Sequence, residues 1–174
     1  MAAYLVRALT PQEAAQRRAA LADILIDAVE SGASVNFVLP MTRTKAEAWW
    51  AGALASQVRG ERVILAAERD DRIDGTVQLI LAPQENQRHR ADIGKMLVHR
   101  RARRQGLGAM LLNAVEAEAK QHGRSLLTLD TVTGGDAERL YLRCGWQRFG
   151  VVPGFATSAD GDRREDCSFF YKTL

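Results

Sequence analysis

The run Arg103–Gly108, with the sequence Arg-Arg-Gln-Gly-Leu-Gly, carries residue types suited to holding a phosphate. It lies between a strand-like run, Ala91–Val98, and a helix-like run, Ala109–His122. Glycines let the backbone approach an anion closely because they lack a Cβ atom. The first turn of a helix adds unpaired N–H groups and a positive dipole end. This arrangement predicts an anion site where the strand meets the helix.

The common nucleotide motifs do not account for this turn. Its continuation lacks the third glycine of the dinucleotide fingerprint, and no acidic residue follows at the ribose distance. No Gly-Lys-Ser/Thr triplet follows either, which excludes the common triphosphate loop. The basic run beside the turn is either a solvated charge cluster or a means of neutralising phosphates. It consists of Arg100, Arg101, Arg103 and Arg104.

A second motif lies downstream, over Ala137–Trp146, and has the pattern Ala-x-x-Leu-Tyr-x-x-x-Gly-Trp. Together with Arg-x-x-Gly-x-Gly over Arg103–Gly108, it resembles the GNAT superfamily of acyl-CoA N-acyltransferases. The first pattern is similar to the family's pyrophosphate loop, and the second to the segment that closes its site. The element order from Tyr4 to Leu174 also resembles the family fold. Three segments are similar to the tabtoxin-resistance type of bacterial acetyltransferase: Leu129–Thr131, Leu140–Leu142 and Val152–Ala156.

The resemblance implies a site for acetyl-CoA as a co-substrate, with no metal. It places backbone N–H groups on the pyrophosphate, with the Arg103 side chain beside them. Those N–H groups belong to Arg104, Gln105, Gly106, Gly108 and Ala109.

The resemblance also implies that the strand ending at Met96, Leu97 and Val98 is splayed from its neighbour. Its backbone would then pair with pantetheine, and one N–H would hold the thioester oxygen. Many relatives carry an asparagine where this chain has Gly134. The contact of that side chain would be missing or supplied by Thr133 or Asp136.

Tyr141 lies on a stripe of helical spacing with Ala137, Leu140 and Cys144, which by pattern alone favours a core tyrosine. The resemblance implies instead that its phenol acts as a general acid. A phenol is protonated at pH 7 and can give a proton to the departing thiolate of coenzyme A.

Two carboxylates are candidates for the base, because an amine must be neutral to attack a thioester. Asp92 lies on the central strand, where several relatives place an acidic base. Asp130 ends the next strand and belongs to the narrower resemblance. Either could act through water, or serve only as a polar strand-edge or turn residue. Asp130 is slightly favoured.

The acceptor is expected to contact the first half of the chain. Asn36 and Phe37, in the loop between the first two helices, are the candidate acceptor-binding residues. Trp49 and Trp50, on the second helix, are expected in the core.

The elements that position these residues follow the order β-α-α-β-β-β-α-β-α-β-β. Capping boxes at Thr10–Glu13 and Thr44–Glu47 predict where the first two helices begin, and Gly32 ends the first of them. A turn is predicted over Asp70–Gly75 and a hairpin turn over Asp160–Asp162. The strand-like runs are Tyr4–Leu9, Arg62–Arg69, Thr76–Ala82, Ala91–Val98, Ser125–Thr131, Gln147–Ala156 and Glu165–Lys172, and the later helices are Gly106–His122 and Gly135–Cys144.

This order predicts an α/β (α+β) fold in one domain over residues 1–174, with helices on both faces of a mixed sheet. The resemblance specifies a GNAT fold: a mostly antiparallel twisted sheet of about seven strands, about four helices and splayed central strands.

The composition limits the function classes. The chain has 174 residues, 47% of them hydrophobic and 26% charged, as is ordinary for a globular protein. Its net charge of +3 suits an anionic ligand but is small for a nucleic-acid binder. No apolar run reaches the roughly 20 residues of a membrane span. Cys144 and Cys167 have no zinc spacing, which favours a reducing cytoplasm.

The sequence therefore predicts direct acetyl transfer from acetyl-CoA to an amine, or less readily a hydroxyl, of a small polar antibiotic- or toxin-like molecule. Acetylation of a protein or peptide amine is the alternative within the same class. A non-catalytic coenzyme A sensor of the same fold is the alternative from another class. No nucleic-acid or membrane partner is expected, and the protein would be a monomer or homodimer.

Overall fold

The computed structural model describes residues 3–174, which form twelve regular strands and helices apart from two short 3₁₀ turns. The strands are β1 (Leu5–Ala8), β2 (Arg62–Arg69), β3 (Arg72–Leu81), β4 (Arg90–Val98), β5 (Leu126–Val132), β6 (Gln147–Thr157) and β7 (Arg164–Thr173). The helices are α1 (Pro11–Gln16), α2 (Arg18–Glu30), α3 (Arg43–Val58), α4 (Leu107–Gln121) and α5 (Asp136–Arg143).

All seven strands belong to one sheet, in the order β1-β2-β3-β4-β5-β7-β6. Every neighbouring pair is antiparallel except β4 and β5, which run parallel. One hydrophobic cluster joins α1, α2 and α3 to one face, and a second joins α4 and α5 to the other. The predicted mixed, mostly antiparallel sheet with helices on both faces is confirmed.

The first predicted helix is divided in two. Its start is as expected: the Glu13 amide donates to Thr10 Oγ1, and the Thr10 amide donates to Glu13 Oε2 at 2.8 Å. At Arg17, however, the backbone leaves the helical conformation (φ −93°, ψ 7°). The Arg17 guanidinium donates to the carbonyl of Asp71 at 2.7 Å. That partner is distant in sequence, so the local pattern could not indicate the break.

The start of α3 and the start of β3 also differ from prediction. Thr42, not Thr44, caps α3, and its hydroxyl accepts from the Lys45 amide at 3.2 Å. The predicted turn over Asp70–Gly75 shrinks to Asp70 and Asp71, which both have positive φ. Asp74 is polar and therefore favours a turn in the sequence pattern, but its side chain is fully buried within β3.

Among the described residues, no helix is long and apolar enough to cross a membrane.

Candidate active site

The pairing between β4 and β5 covers only one end of the two strands. It consists of Arg90 with Leu126, Ala91 with Leu127, and Asp92 with Thr128. Beyond that point β4 continues to pair with β3, and β5 with β7. The two central strands therefore diverge, and the segment containing Met96, Leu97 and Val98 faces an opening. The expected splaying is confirmed.

A bulge in β4 changes which way its side chains point. The register between β3 and β4 shifts after Thr76, and Lys95 has a positive φ of 47°. Leu97 packs with the α1–α3 cluster, whereas Met96 and Val98 contact the α4–α5 cluster. All three side chains pack against these clusters, so the backbone of Met96–Val98 lines the opening.

The predicted phosphate turn stands at the mouth of this opening. Arg104 and Gly106 both have positive φ, 62° and 78°. Within the described chain, the amides of Arg104, Gln105, Gly106 and Gly108 donate no backbone hydrogen bond, whereas the Ala109 amide donates to the carbonyl of Gly106 at 3.1 Å. Four of the five candidate amides are thus open to an anion.

The two glycines of the turn are needed for different reasons. A Cβ at Gly106 would meet nothing within 4 Å, so its left-handed conformation is the reason for glycine there. A Cβ at Gly108 would lie 2.7 Å from Leu140 Cδ2. Gly108 therefore allows α4 and α5 to approach each other.

Two buried carboxylates pair with three arginines of the basic run: Asp27 with Arg100 and, at 3.7 Å, with Arg103, and Asp74 with Arg101. Asp27, with a side chain 7% exposed, accepts from the Arg100 amide at 2.9 Å and from the Arg100 guanidinium. Asp74, with a side chain 0% exposed, accepts from Arg101 Nε at 2.6 Å. Burial raises the pKa of Asp74, but hydrogen bonds from Arg72, Arg101 and Tyr4 outweigh it and lower the pKa overall. Arg100 and Arg101 are therefore structural.

The other arginines of the run differ in availability. Arg103 Nε donates to the carbonyl of Val98 at 3.1 Å, which ties the turn to β4. The Arg104 side chain is 86% exposed and reaches Asp136 at 3.2 Å. Gln105 Nε2 donates to the carbonyl of Arg101 at 3.3 Å. Arg104 is thus the most accessible cation at the turn.

Asp136 and Thr133, the predicted substitutes for the asparagine that many relatives carry, both have partners within the protein. Asp136 also accepts from Arg139 at 2.6 Å, and this bond and the charge of Arg104 lower its pKa. Thr133 Oγ1 lies 2.8 Å from Ser168 Oγ.

Tyr141 is a core residue whose phenol interacts electrostatically with Asp130. It is 5% exposed, and its ring centroid lies 6.1 Å from that of Trp146 and 5.9 Å from that of Phe170. Burial raises the pKa of its phenol, and the negative charge of Asp130 raises it further. Tyr141 therefore keeps its proton at neutral pH and lies within electrostatic range of Asp130.

The two candidate bases occupy different places. Asp92 sits where β4 and β5 are still paired, and it accepts from Arg90 Nη1 at 2.6 Å and from Thr128. Asp130 lies beyond the last pair and is exposed in the opening. The surrounding protein raises the pKa of Asp130 by desolvation, and the charge of Lys95 partly opposes this effect. The structure thus brings Asp130, not Asp92, towards Tyr141.

Lys95 is a site residue that the sequence reasoning missed. Its Nζ donates to the carbonyl of Val35 at 2.9 Å and lies 5.0 Å from the ring centroid of Trp49 and 5.5 Å from that of Phe37. Burial lowers the pKa of Lys95 to about 8. A single lysine in a strand carries no sequence signal of such surroundings.

Asn36 and Phe37 do meet in the wall of a cavity of about 380 Å³. The cavity lies between the loop after α2 and the end of β6, and its lining also includes Ser34, Lys45 and Thr157. Because Phe37 contacts Lys95 as well, the cavity adjoins β4 on the side of Asp130. Residues 3–174 contain no group of three or more His, Cys, Asp or Glu side chains arranged to hold a metal.

Comparisons with known proteins agree with this geometry. The family model described as "Acetyltransferase (GNAT) family" matches residues 14–146. A curated relative from Azospirillum brasilense, an uncharacterised N-acetyltransferase in the hisH-hisA intergenic region, is 36% identical over 112 residues. That match covers 63% of this chain and 65% of the relative, so the chain spans slightly less than two thirds of that relative's length.

Solved structures match over nearly the full chain. A ribosomal-protein-alanine N-acetyltransferase from Brucella melitensis has a TM-score of 0.79 and 26% identity, covering 98% of this chain and 99% of its own. The structure of yncA from Salmonella typhimurium, solved with its cofactor acetyl-CoA, has a TM-score of 0.79 and 19% identity, covering 99% and 95%. With the splayed strands and the open amides of the Arg104–Gly108 turn, these matches lead to one conclusion: the chain belongs to the GNAT family of acetyltransferases.

Proposed function

We propose that this protein transfers an acetyl group from acetyl-CoA to the amine of a small polar molecule, by direct transfer and without a metal. The observation that carries the proposal is the opening between β4 and β5, with the open amides of Arg104–Gly108 at its mouth. The reaction would take place in the cytoplasm. Antibiotic- or toxin-like amines are the first acceptors to test.

The residues present suit acetyl-CoA, which would supply a thioester-activated acetyl group when bound. The amides of Arg104, Gln105, Gly106 and Gly108 would hold the pyrophosphate, and the exposed Arg104 guanidinium adds a positive charge. The unpaired edge of β4 at Met96–Val98 would pair with the pantetheine amides. One N–H there would stabilise charge on the thioester oxygen.

Tyr141 would act as the general acid. A phenol is protonated at neutral pH, as donation to a departing thiolate requires. Its packing against Trp146 and Phe170 holds the ring in place.

Asp130 would act as the base, directly or through a water molecule. It is exposed in the opening, and its raised pKa makes it a better proton acceptor than an ordinary aspartate. Asp92 is the weaker candidate because Arg90 and Thr128 already occupy its carboxylate.

Two alternatives remain as proposals. The Brucella melitensis relative is named for a ribosomal-protein alanine, which favours a protein or peptide amine as the acceptor. A coenzyme A sensor of the same fold would bind the cofactor without turnover.

A panel assay separates these functions. Purified protein is mixed with acetyl-CoA and, in turn, with small amines, an aminoglycoside, free amino acids and a peptide with a free N-terminus, and thiol release is followed. Turnover of a small amine supports the proposal, and turnover of the peptide alone supports the protein acceptor. Acetyl-CoA binding without turnover supports the sensor.

A further inference from the structure

Two lysine ammonium groups lie near the ring of Phe37. Lys45 lines the same cavity as Phe37, and Lys95 adjoins Phe37 from β4. Lys45 Nζ lies 5.6 Å from the ring centroid and Lys95 Nζ lies 5.5 Å from it. Each donates one hydrogen bond to a backbone carbonyl, Lys45 to Val38 at 3.0 Å and Lys95 to Val35 at 2.9 Å. Since an ammonium group has three N–H donors, each lysine has two left for a ligand.

Neither lysine forms an ion pair at close range. In the part of the chain that the structure describes, no carboxylate oxygen lies within 4.0 Å of Lys45 Nζ or Lys95 Nζ. The described lining of the cavity contains no aspartate or glutamate. Lys95 is largely enclosed by Phe37 and Trp49, where solvent screens a charge less than at an exposed surface. The cavity wall and the adjoining Lys95 therefore carry positive charges that form no close ion pair.

The carboxylate of Asp130 lies within electrostatic range of Lys95. Asp130 interacts electrostatically with Lys95 and is exposed in the opening between β4 and β5. The acceptor side of the site thus presents a carboxylate near the reaction centre and two ammonium groups further out. A molecule with an amine next to a carboxylate has the complementary arrangement of charges.

We infer that the acceptor is a small amine carrying an adjacent carboxylate, as in an α-amino acid, with the carboxylate attracted by the positive charges of Lys45 and Lys95 and the amine directed to Asp130. This inference rests on the proposed acetyl transfer and names its substrate class. A polycation such as an aminoglycoside would be repelled by the lysines. A peptide N-terminus would lack the carboxylate that they attract.

The test compares amino acids with their α-carboxamides, which keep the amine and side chain but lose the negative charge. L-methionine, L-glutamate and L-tryptophan, each paired with its carboxamide, serve as probes, and the amides also imitate a peptide N-terminus. For the best pair, kcat/KM should be about 10-fold or more higher for the acid, as expected for hydrogen bonds to a charged group.

Variants assign that preference to the lysines. Lys45→Gln should raise KM for the acid and reduce the acid-to-amide ratio of kcat/KM, while the kinetics of the amide change little. Lys95→Gln should reduce the same ratio, and it should also alter the rate with the amide, because the charge of Lys95 lowers the pKa of Asp130. Lys120→Gln, which replaces an exposed lysine on α4, should leave the ratio unchanged. Lys45 is itself exposed, so its variant keeps the test valid if Lys95→Gln does not fold.

Equal rates for acids and amides, or a ratio that survives in the Lys45→Gln variant, would overturn the inference and leave acetyl transfer standing. Acetylation of other amines but of none of these probes would do the same. No acetylation of any amine would remove the proposed function and this inference together.

Discussion

At the scale of single residues, Tyr141 combines a packed ring with a hydroxyl for which we propose the role of general acid. The ring packs against Trp146 and Phe170, and burial and the charge of Asp130 raise the pKa of the phenol. The helical spacing of its neighbours favours a core tyrosine, and the family resemblance favours a general acid. The two roles are compatible because they use different parts of one side chain.

Tyr141→Phe keeps this ring and removes only the hydroxyl. We expect kcat to fall by about 10²- to 10⁴-fold, the usual contribution of a general acid. The affinity for acetyl-CoA should change little. Steady-state kinetics with a fluorescence titration of acetyl-CoA would check both values, and an unchanged kcat under conditions where chemistry limits the rate would return Tyr141 to a packing role.

The proposed role of Asp130 as the base predicts how kcat/KM depends on pH. A base must be deprotonated, so kcat/KM should fall as the pH drops through the pKa of Asp130, which lies above the ordinary aspartate value. In Asp130→Asn this acidic limb should disappear along with most of the activity. Asp92→Asn should retain the limb, because Asp92 is engaged by Arg90 and Thr128.

The reverse ranking of these two variants would assign the base to Asp92. If neither variant alters the acidic limb, the acceptor would bind already neutral or lose its proton to solvent. The protein would then act mainly by positioning.

Some site residues could be predicted from the sequence and others could not, for a physical reason. The Arg103–Gly108 turn and Tyr141 belong to compact local motifs. The roles of Asp27, Asp74 and Lys95 depend on distant partners: Asp27 holds Arg100, which lies 73 positions away. Polar residues on apolar stripes, such as Asp27 beside Ile24 and Ala28, were the one available sign.

At the scale of elements, Gly75 shows how a turn signal can be misread. It closed the predicted turn over Asp70–Gly75, yet it lies within β3 against α4. A Cβ there would lie 3.0 Å from Leu111 Cδ1, 3.2 Å from the carbonyl oxygen of Leu97 and 3.4 Å from Leu107 Cδ2. Close packing, not a turn, explains this glycine, and α4 carries the phosphate turn at its start.

Gly75→Ala should therefore lower the free energy of unfolding by about 1–3 kcal/mol, the usual cost of overpacking. Gly52→Ala is the matched control, because Gly52 lies in α3 with nothing within 4 Å of a Cβ. It should raise the free energy of unfolding by about 0.5–1 kcal/mol, since alanine favours helix more than glycine does. Urea unfolding measures both, and equal effects of the two variants would contradict the packing of β3 on α4.

At the scale of the whole molecule, the element order and the family motifs were enough to predict the sheet, its mixed pairing and its opening. The positions at which elements begin were less predictable. Arg17 separates α1 from α2, and its side chain binds the carbonyl of Asp71, which is distant in sequence. Thr42 caps α3, although Thr44 two residues later is an equally good capping residue by its type. The cavity lined by Asn36 and Phe37 depends on the approach of the loop after α2 to β6, which no local motif encodes.

Acetyl-CoA should stabilise the fold as a whole, because it would bind the native state alone. At about 100 times its Kd it should add about 2.7 kcal/mol and raise Tm by roughly 5–10 °C. Arg104→Ala should reduce that rise, since its guanidinium is accessible at the turn. Arg88 is an exposed arginine that precedes β4, and Arg88→Ala should leave the rise in Tm unchanged. Thermal denaturation would show this, and an equal reduction in both variants would place the cofactor elsewhere.

A crystal structure with coenzyme A bound would test the central claim most directly. We expect the pyrophosphate within hydrogen-bonding distance of the amides of Gln105, Gly106 and Gly108, and the pantetheine between β4 and β5 with its sulfur towards Tyr141. Coenzyme A bound at another surface, with the opening between β4 and β5 empty at a saturating concentration, would contradict the account.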